Sequence, residues 1–437
     1  MRDIVIVSIV LVAAILALRR PWIGVLSWTW LSIMNPHRFA YGFSFDAPLA
    51  AIAAGSTLVG LMVTRERDLP FKGPPVTWLA IFMVWFTLSW LFGLDVKDDY
   101  PQWNKVMKID FMILVGLCLM RSKLHILSLT WVAVASLALL GAKGGVFTIL
   151  TGGGYRVWGP PGSFIEDNNE FALALVMTIP LLRFLQLQVQ AKWQRHALLL
   201  AMLLCAVSAL GSQSRGGLLA IVAMATLLWW RGRNRIVGGI LIFVAGLALV
   251  AFMPESWSER MATIDNYEAD RSAMGRISAW WNAWGIAKTH VFGVGFNAAR
   301  PSLFAQFSPY PDYVHAAHSI YFQILGNHGF IGLLLFVGLW ISTWRSAGWI
   351  RVNGAKQPES GWAADLAAMC QVSLAGYAVG GTFLSLAYFD LPYNIMVLVV
   401  LTRVWVATRG WEREPRYTRR WFMPPGLSAP PASATNA

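Results

Sequence analysis

Charged residues are scarce in this sequence. Asp, Glu, Lys and Arg make up 13% of its 437 residues, against roughly 25% in a soluble domain. Cysteine is scarcer still: Cys118, Cys205 and Cys370 each lie inside an apolar run. Their spacing fits neither a disulfide framework nor a metal site, so they read as small packing residues. No Asp-x-Asp pair occurs, which removes the usual arrangement for a metal-held diphosphate. No internal repeat is visible, and this disfavours a transporter built from paired repeats. The first apolar run has Arg2 in front of it but "LRRPW" behind it, not a small-residue cleavage site. It reads as a retained segment and not as a removed signal peptide.

Apolar residues fill the space left by charge, at 57% of the chain. They come in runs without a polar face, such as "IVIVSIVLVAAILAL" (4–18) and "IVGGILIFVAGLALVAFM" (236–253). A bilayer core of about 30 Å needs roughly 20 helical residues. The expected fold is therefore an all-α polytopic membrane protein. Apolar runs lie near 4–18, 22–34, 47–63, 76–94, 105–120, 124–141, 171–189, 196–212, 216–230, 236–253, 319–343, 365–388 and 391–408. Residues 22–34 are short enough for a half-span, so the expectation is about 12 transmembrane helices.

The formal net charge of +13 has a topological reading. "TRERDLPFK" (64–72), "RSK" (121–123), "KWQRH" (192–196), "RGRNR" (231–235), "WRSAGWIRVNGAK" (344–356) and the arginine-rich tail are basic. They alternate with less basic or acidic loops at 95–103, 142–170, 211–214, 254–318 and Asp390. The basic set is cytoplasmic by the positive-inside rule, and the balance signals membrane lipids as neighbours, not nucleic acid. Four regions follow. Residues 1–253 carry the N-terminal spans with the outer loop 142–170. Residues 254–318 form a large, partly helical outer loop, residues 319–408 carry the C-terminal spans, and residues 409–437 form a basic and then disordered cytoplasmic tail. In the large loop, Ile277, Trp280, Trp281, Trp284 and Ile286 or Ala287 recur at three- and four-residue steps, as in an amphipathic helix at a membrane interface.

A few outward residues ask for more. Arg215, in "GSQSRGGLLA", interrupts an apolar stretch too long for one span. It is either a snorkelling arginine in a turn or part of an anion site, with Ser212, Ser214, Gly216 and Gly217 offering donors at a helix start. Arg156 stands between a Gly-rich turn and Pro160-Pro161, Arg276 begins the amphipathic helix, and Arg300 follows the Gly293/Gly295 turn. All four break the positive-inside pattern, which makes them candidates for an anionic ligand. Asp167, Asn168 and Asn169 read as caps of the helix beginning near Glu170. "HAAHSIYFQILGNHG" (315–329) holds three histidines. If it is helical, His318 and His328 are separated by about 280° and about 15 Å, so they cannot share a metal. His315 and His318 could, but no carboxylate or third ligand is evident nearby, and HxxH alone is a weak signal. The expectation is no metal and no cofactor. His318 is then either a structural ring or a general base beside the arginines, His315 a tuning neighbour and His328 structural.

"YRVWGPPGSF…DNNEFAL", "SQSRGG", "GRISAWW" and "HSIYFQILGNHGFIG", in that order, resemble the O-antigen ligase family of bacterial inner membranes, which also includes O-antigen polymerases and protein O-glycosylation ligases. The opening "RRPWIGVLSWTWLSIMNPHR" further resembles the subgroup found beside exosortase systems. The resemblance implies a multi-pass inner-membrane glycosyltransferase acting at the periplasmic face. It would move a glycan from undecaprenyl diphosphate to the lipid A–core oligosaccharide, without metal or nucleotide sugar. The family's essential histidine matches His318, and its essential arginines match Arg215, Arg156 and Arg276. This chain carries Asn327 where relatives commonly have Glu. At about nine residues from His318 along the helix, that position is read as structural.

Overall fold

The computed structural model describes residues 1–40, 42–231 and 271–414, with isolated positions between 236 and 255. The expected span at 236–253, the first part of the large loop and most of the tail fall outside the continuous described stretches. Each of the other apolar runs meets a helix. In chain order these are α1 (Arg2–Arg19), α2 (Pro21–Met34), α3 (Leu49–Val63), α4 (Pro74–Leu91), α5 (Val96–Leu119), α6 (Lys123–Leu150), α7 (Asn168–Gln188), α8 (Lys192–Gly211) and α9 (Arg215–Arg231). After the large loop's α10 (Arg271–Thr289) and α11 (Pro301–Phe307) come α12 (Ile320–Gly354), α13 (Gly361–Gly380) and α14 (Asp390–Ala407). Among the described residues, seven helices are long and apolar enough to cross a membrane, and α3 and α9 are shorter apolar helices. The chain is a multi-pass membrane protein.

The helices sort by what surrounds them. α1 turns Ile4, Val5, Ile9, Val12 and Ile15 outward, as a lipid-facing helix does. α7 and α14 are buried on nearly every side, so neither has a polar face to show in its sequence. α6 and α8 approach closely because glycines leave room: Gly141 faces Cys205, Gly144 faces Ser208 and Gly145 faces the Leu204 backbone. This is the small-residue packing that membrane helices use, and it explains Cys205 as a packing residue. Cys370 is likewise buried within α13.

Two differences from the sequence reading matter for the site. The run at 365–388 is not one helix. α13 stops at Gly380, and residues 381–389 form a 3-10 turn and an irregular stretch between α13 and α14. Leu384, Leu386 and Phe389 of this stretch are buried, so its apolar composition reflects enclosure by protein and not helical lipid contact. The helix after His318 is also broken, at Gly329 (φ 70, ψ −173).

Candidate functional site

His318 lies at the end of the large loop with φ +40, a left-handed conformation unusual for a residue with a side chain. The next residue, Ser319, caps α12 by accepting the Phe322 N–H at 3.5 Å. The forced turn aims the His318 ring at the start of α7, where Nδ1 stands 3.6 Å from Glu170 Oε1. That is just beyond a hydrogen bond, and Nδ1 is buried with no other partner among the described residues. Glu170 is 5% exposed, and its Oε1 accepts the Ser385 N–H at 3.2 Å. This corrects the expectation that no carboxylate lies near His318. The described residues still contain no group of three His, Cys, Asp or Glu side chains arranged to hold a metal ion.

Asp167 caps α7 as expected, its carboxylate accepting the Asn169 N–H at 2.8 Å. Burial pushes its pKa up, but the Glu170 side chain, the Asn169 donors and the His318 ring outweigh burial and hold it below the ordinary carboxylate value. His315 lies beside His318 with ring centroids 5.0 Å apart and the ring planes tilted by 52°. Burial, then the neighbouring His318 and Arg276, press its pKa below the ordinary histidine value despite a backbone contact at Ala316 that raises it. Arg276 thus belongs to this corner, and the adjacent Gly275 leaves the space that the His315 ring fills.

Arg215 opens α9 as a half-buried residue directly after Ser214, whose Oγ accepts the Gly217 N–H at 3.0 Å. Gln213 before it has φ +56. Its Nε2 donates to Gly153 O at 3.2 Å, and its Oε1 accepts from Arg156 Nε at 3.5 Å. The 152–167 loop is therefore pinned over the α8–α9 break, with Arg156 beside the residue preceding Ser214. Some donors that the sequence offered an anion are already used. Ser212 Oγ bonds to Ala209 O at 2.6 Å, and the Gly217 N–H belongs to the cap.

The turn at 381–385 joins the two helix starts. Gly216 packs against Phe383 and Leu384, and Gly217 against Ala172 of α7. Gly381 packs against Ile320, two residues after His318, and Ser385 holds Glu170. Phe383 also meets Trp280 of α10, whose Nε1 donates to Ala317 O at 2.8 Å. The starts of α7, α9 and α12, which bear Glu170, Arg215 and His318, thereby meet at one turn, and Arg276 lies near His315 beside it. Arg300 is committed elsewhere. It pairs with Asp99 at 3.1 Å and Asp95 at 3.7 Å, tying the large loop to the start of α5.

The tryptophan stripe of α10 divides. Trp280 faces inward and stacks on Phe322 at 4.9 Å, whereas Trp281 and Trp284 are exposed. The buried face carries Ser278, Asn282, Ala283 and Ile286 instead. Small and polar residues hold α10 to its own loop: Ser278 bonds to Tyr310 O at 2.8 Å and Asn282 Nδ2 to Ala298 O at 2.9 Å. Gly293 and Gly295 make the expected tight turn, both with positive φ. A side chain at Gly293 would collide with the Asn327 backbone, and one at Gly295 with the Asp99 carboxylate.

His328 and Asn327 sit in the framework. Ser89 Oγ donates to Phe292 O at 2.7 Å, so it accepts from His328 Nδ1, also at 2.7 Å. His328 Nε2 then accepts from the Tyr388 hydroxyl at 2.7 Å, which fixes one neutral tautomer with both nitrogens occupied. Asn327 accepts the Ala298 N–H at 3.1 Å and donates to Phe296 O and Tyr388 Oη. Neither residue is available for chemistry at His318.

Residues 200–337 match the family model described as O-antigen ligase, and residues 1–190 match a family described only as of unknown function. No curated protein matches the chain significantly. The first segment contains Arg215, Arg276, Arg300, His315 and His318, and the second contains Arg156 and Glu170. Through residues 200–337, about a third of its length, the chain is similar to the O-antigen ligase family, and that match supports membership.

Proposed function

We propose that this protein transfers a glycan from undecaprenyl diphosphate to the lipid A–core oligosaccharide at the periplasmic face of the bacterial inner membrane, with inversion and without a metal. The observation that carries this reading is the unpartnered His318 Nδ1 facing the Glu170 carboxylate in an arginine-bearing corner. A neutral His318 with its proton on Nδ1, directed at Glu170, leaves Nε2 as a base. Nε2 removes the proton of the acceptor hydroxyl as its oxygen bonds to the anomeric carbon of the donor. The bond from that carbon to the diphosphate oxygen breaks on the opposite face, and the electron pair leaves with the diphosphate. Arg215, with Arg156 and Arg276, offsets the charge that develops there. Glu170 stabilises the imidazolium as it forms. Arg300, already held by two carboxylates, braces the loop and is not assigned to the phosphates.

His318→Ala in cells lacking the native enzyme tests the base. The expected result is uncapped lipopolysaccharide with polymer accumulating on the carrier, and wild-type capping removes His318 from the mechanism. Knockout products also decide the acceptor: single-repeat chains point to a polymerase, and unglycosylated periplasmic proteins to a protein ligase. Activity of the purified enzyme in a chelator tests the metal-free step, which is expected to proceed at an unchanged rate.

A further inference from the structure

A cavity of about 140 Å³ lies between α10, α12 and the strap 315–317 that leads into His318. Its polar lining is left incompletely bonded. Asn282 is 1% exposed; its Nδ2 is held by Ala298 O, but its Oδ1 is buried and has no partner. Ser385 Oγ is likewise buried without a partner, although the Ser385 N–H is held by Glu170. Gln323 Oε1 accepts the Ala387 N–H at 3.3 Å, and no described residue accepts from its Nε2. A buried acceptor and a buried hydroxyl left open in one cavity are costly to the empty protein, and they become favourable when a ligand completes them, with the half-buried Gln323 amide as a further donor. Phe322, braced by Trp280, adds an apolar wall. No carboxylate, ammonium or guanidinium lines the cavity.

That combination suits an uncharged, hydroxyl-rich ring with one apolar face. It does not suit a diphosphate, which would meet no arginine or lysine there; the one titratable side chain in the lining, His315, is held below the ordinary histidine pKa by burial. The cavity lies on the α10 side of His318, whereas Arg156 and Arg215 approach from the α8–α9 break. We propose that the cavity is an acceptor subsite for one uncharged pyranose ring of the receiving glycan, with Asn282 Oδ1 and Gln323 Nε2 engaging its hydroxyls and Ser385 Oγ completing the set beside Glu170. This assignment rests on the reading of His318 as the base, since it places the acceptor ring next to that residue.

The test uses the full-length protein in detergent, with methyl α-D-gluco-, galacto- and mannopyranoside observed by saturation-transfer NMR, and a transfer assay in which donor and acceptor are varied separately. Ser385→Ala removes only the hydroxyl and keeps the N–H that holds Glu170. Ala316→Trp, at an exposed strap position, plugs the cavity without touching the framework. At least one pyranoside is expected to give saturation transfer with the native protein, and the signal is expected to fall roughly tenfold in both variants. The acceptor KM is expected to rise by a similar factor with the donor KM unchanged. His318→Ala is expected to bind the pyranoside normally. The proposal is overturned if no pyranoside binds the native protein, if binding is equal in native and both variants, or if the donor KM moves instead. If His318→Ala retains transfer while the cavity variants lose pyranoside binding, the base assignment falls and the subsite stands.

Discussion

α9 and α12 begin in the same way. Each has a residue with positive φ, then a capping serine, then the first helical residue: Gln213-Ser214-Arg215 in one and His318-Ser319-Ile320 in the other. In both, a side chain is held in left-handed geometry at a cost of about 1–2 kcal/mol. They differ in what that geometry secures. Both ends of the Gln213 amide are bonded, one to Gly153 and one to Arg156, so the turn works as a clasp. His318 Nδ1 is aimed at a carboxylate and stops short of bonding it. One start is closed by its own hydrogen bonds; the other leaves a ring nitrogen facing a carboxylate without bonding it. Similar backbone geometry therefore locks the side chain at one helix start and leaves it unbonded at the other, which is where the proposed base stands.

Glycine substitutions separate backbone from side chain at the two starts. His318→Gly keeps the permitted φ and deletes the imidazole; transfer is expected to fall by about 10²–10⁴, with thermal unfolding no earlier than in the native protein. Native-like turnover would return His318 to a backbone role. Glu170→Gln keeps an acceptor for the Ser385 N–H and removes the charge facing His318. Losing a charge-assisted contact of about 1.5–3 kcal/mol slows transfer by roughly 10- to 100-fold in single-turnover kinetics, and an unchanged rate would show that the pair is only structural. Gln213→Ala keeps the strained φ and removes both amide bonds. It is expected to cost about 1–2 kcal/mol of stability and to raise the donor KM through Arg156, while Gln213→Gly recovers about 1 kcal/mol of the stability by relieving φ. Ser214→Ala is expected to have the smallest effect, about 1 kcal/mol for one lost cap, read as a lower midpoint in thermal unfolding.

The helices were legible because apolar length is a direct imprint of the bilayer. His318, Arg215, Arg156 and Arg276 stood out because arginines in the less basic loops and a histidine at a loop end are costly without a reason; the fold puts Arg156 on Gln213, just before Arg215, and Arg276 near His315. Glu170 was masked by its setting. It follows Asp167, Asn168 and Asn169, where a helix cap explains acidic and amide residues completely, and its tie to Ser385 is a tertiary fact with no local signal. The 381–385 turn was hidden for a related reason: enclosed irregular backbone is as apolar as a span, so hydropathy reads through it. Arg300 shared the sequence signature of the other outward arginines, and only the fold brings Asp95 and Asp99 against it. The α10 stripe misled because period alone cannot say whether tryptophans or small residues face the protein.

The contact between Glu170 and Ser385 spans 215 residues of chain. A ribosome delivering this protein has released α7 long before the turn after α13 exists, and contacts of such separation form late. Glu170 therefore waits in the growing bundle for nearly half the chain to arrive. The corner that holds His318 is completed only as the last helices pack, so a chain interrupted before residue 385 is expected to insert in the membrane and remain inert.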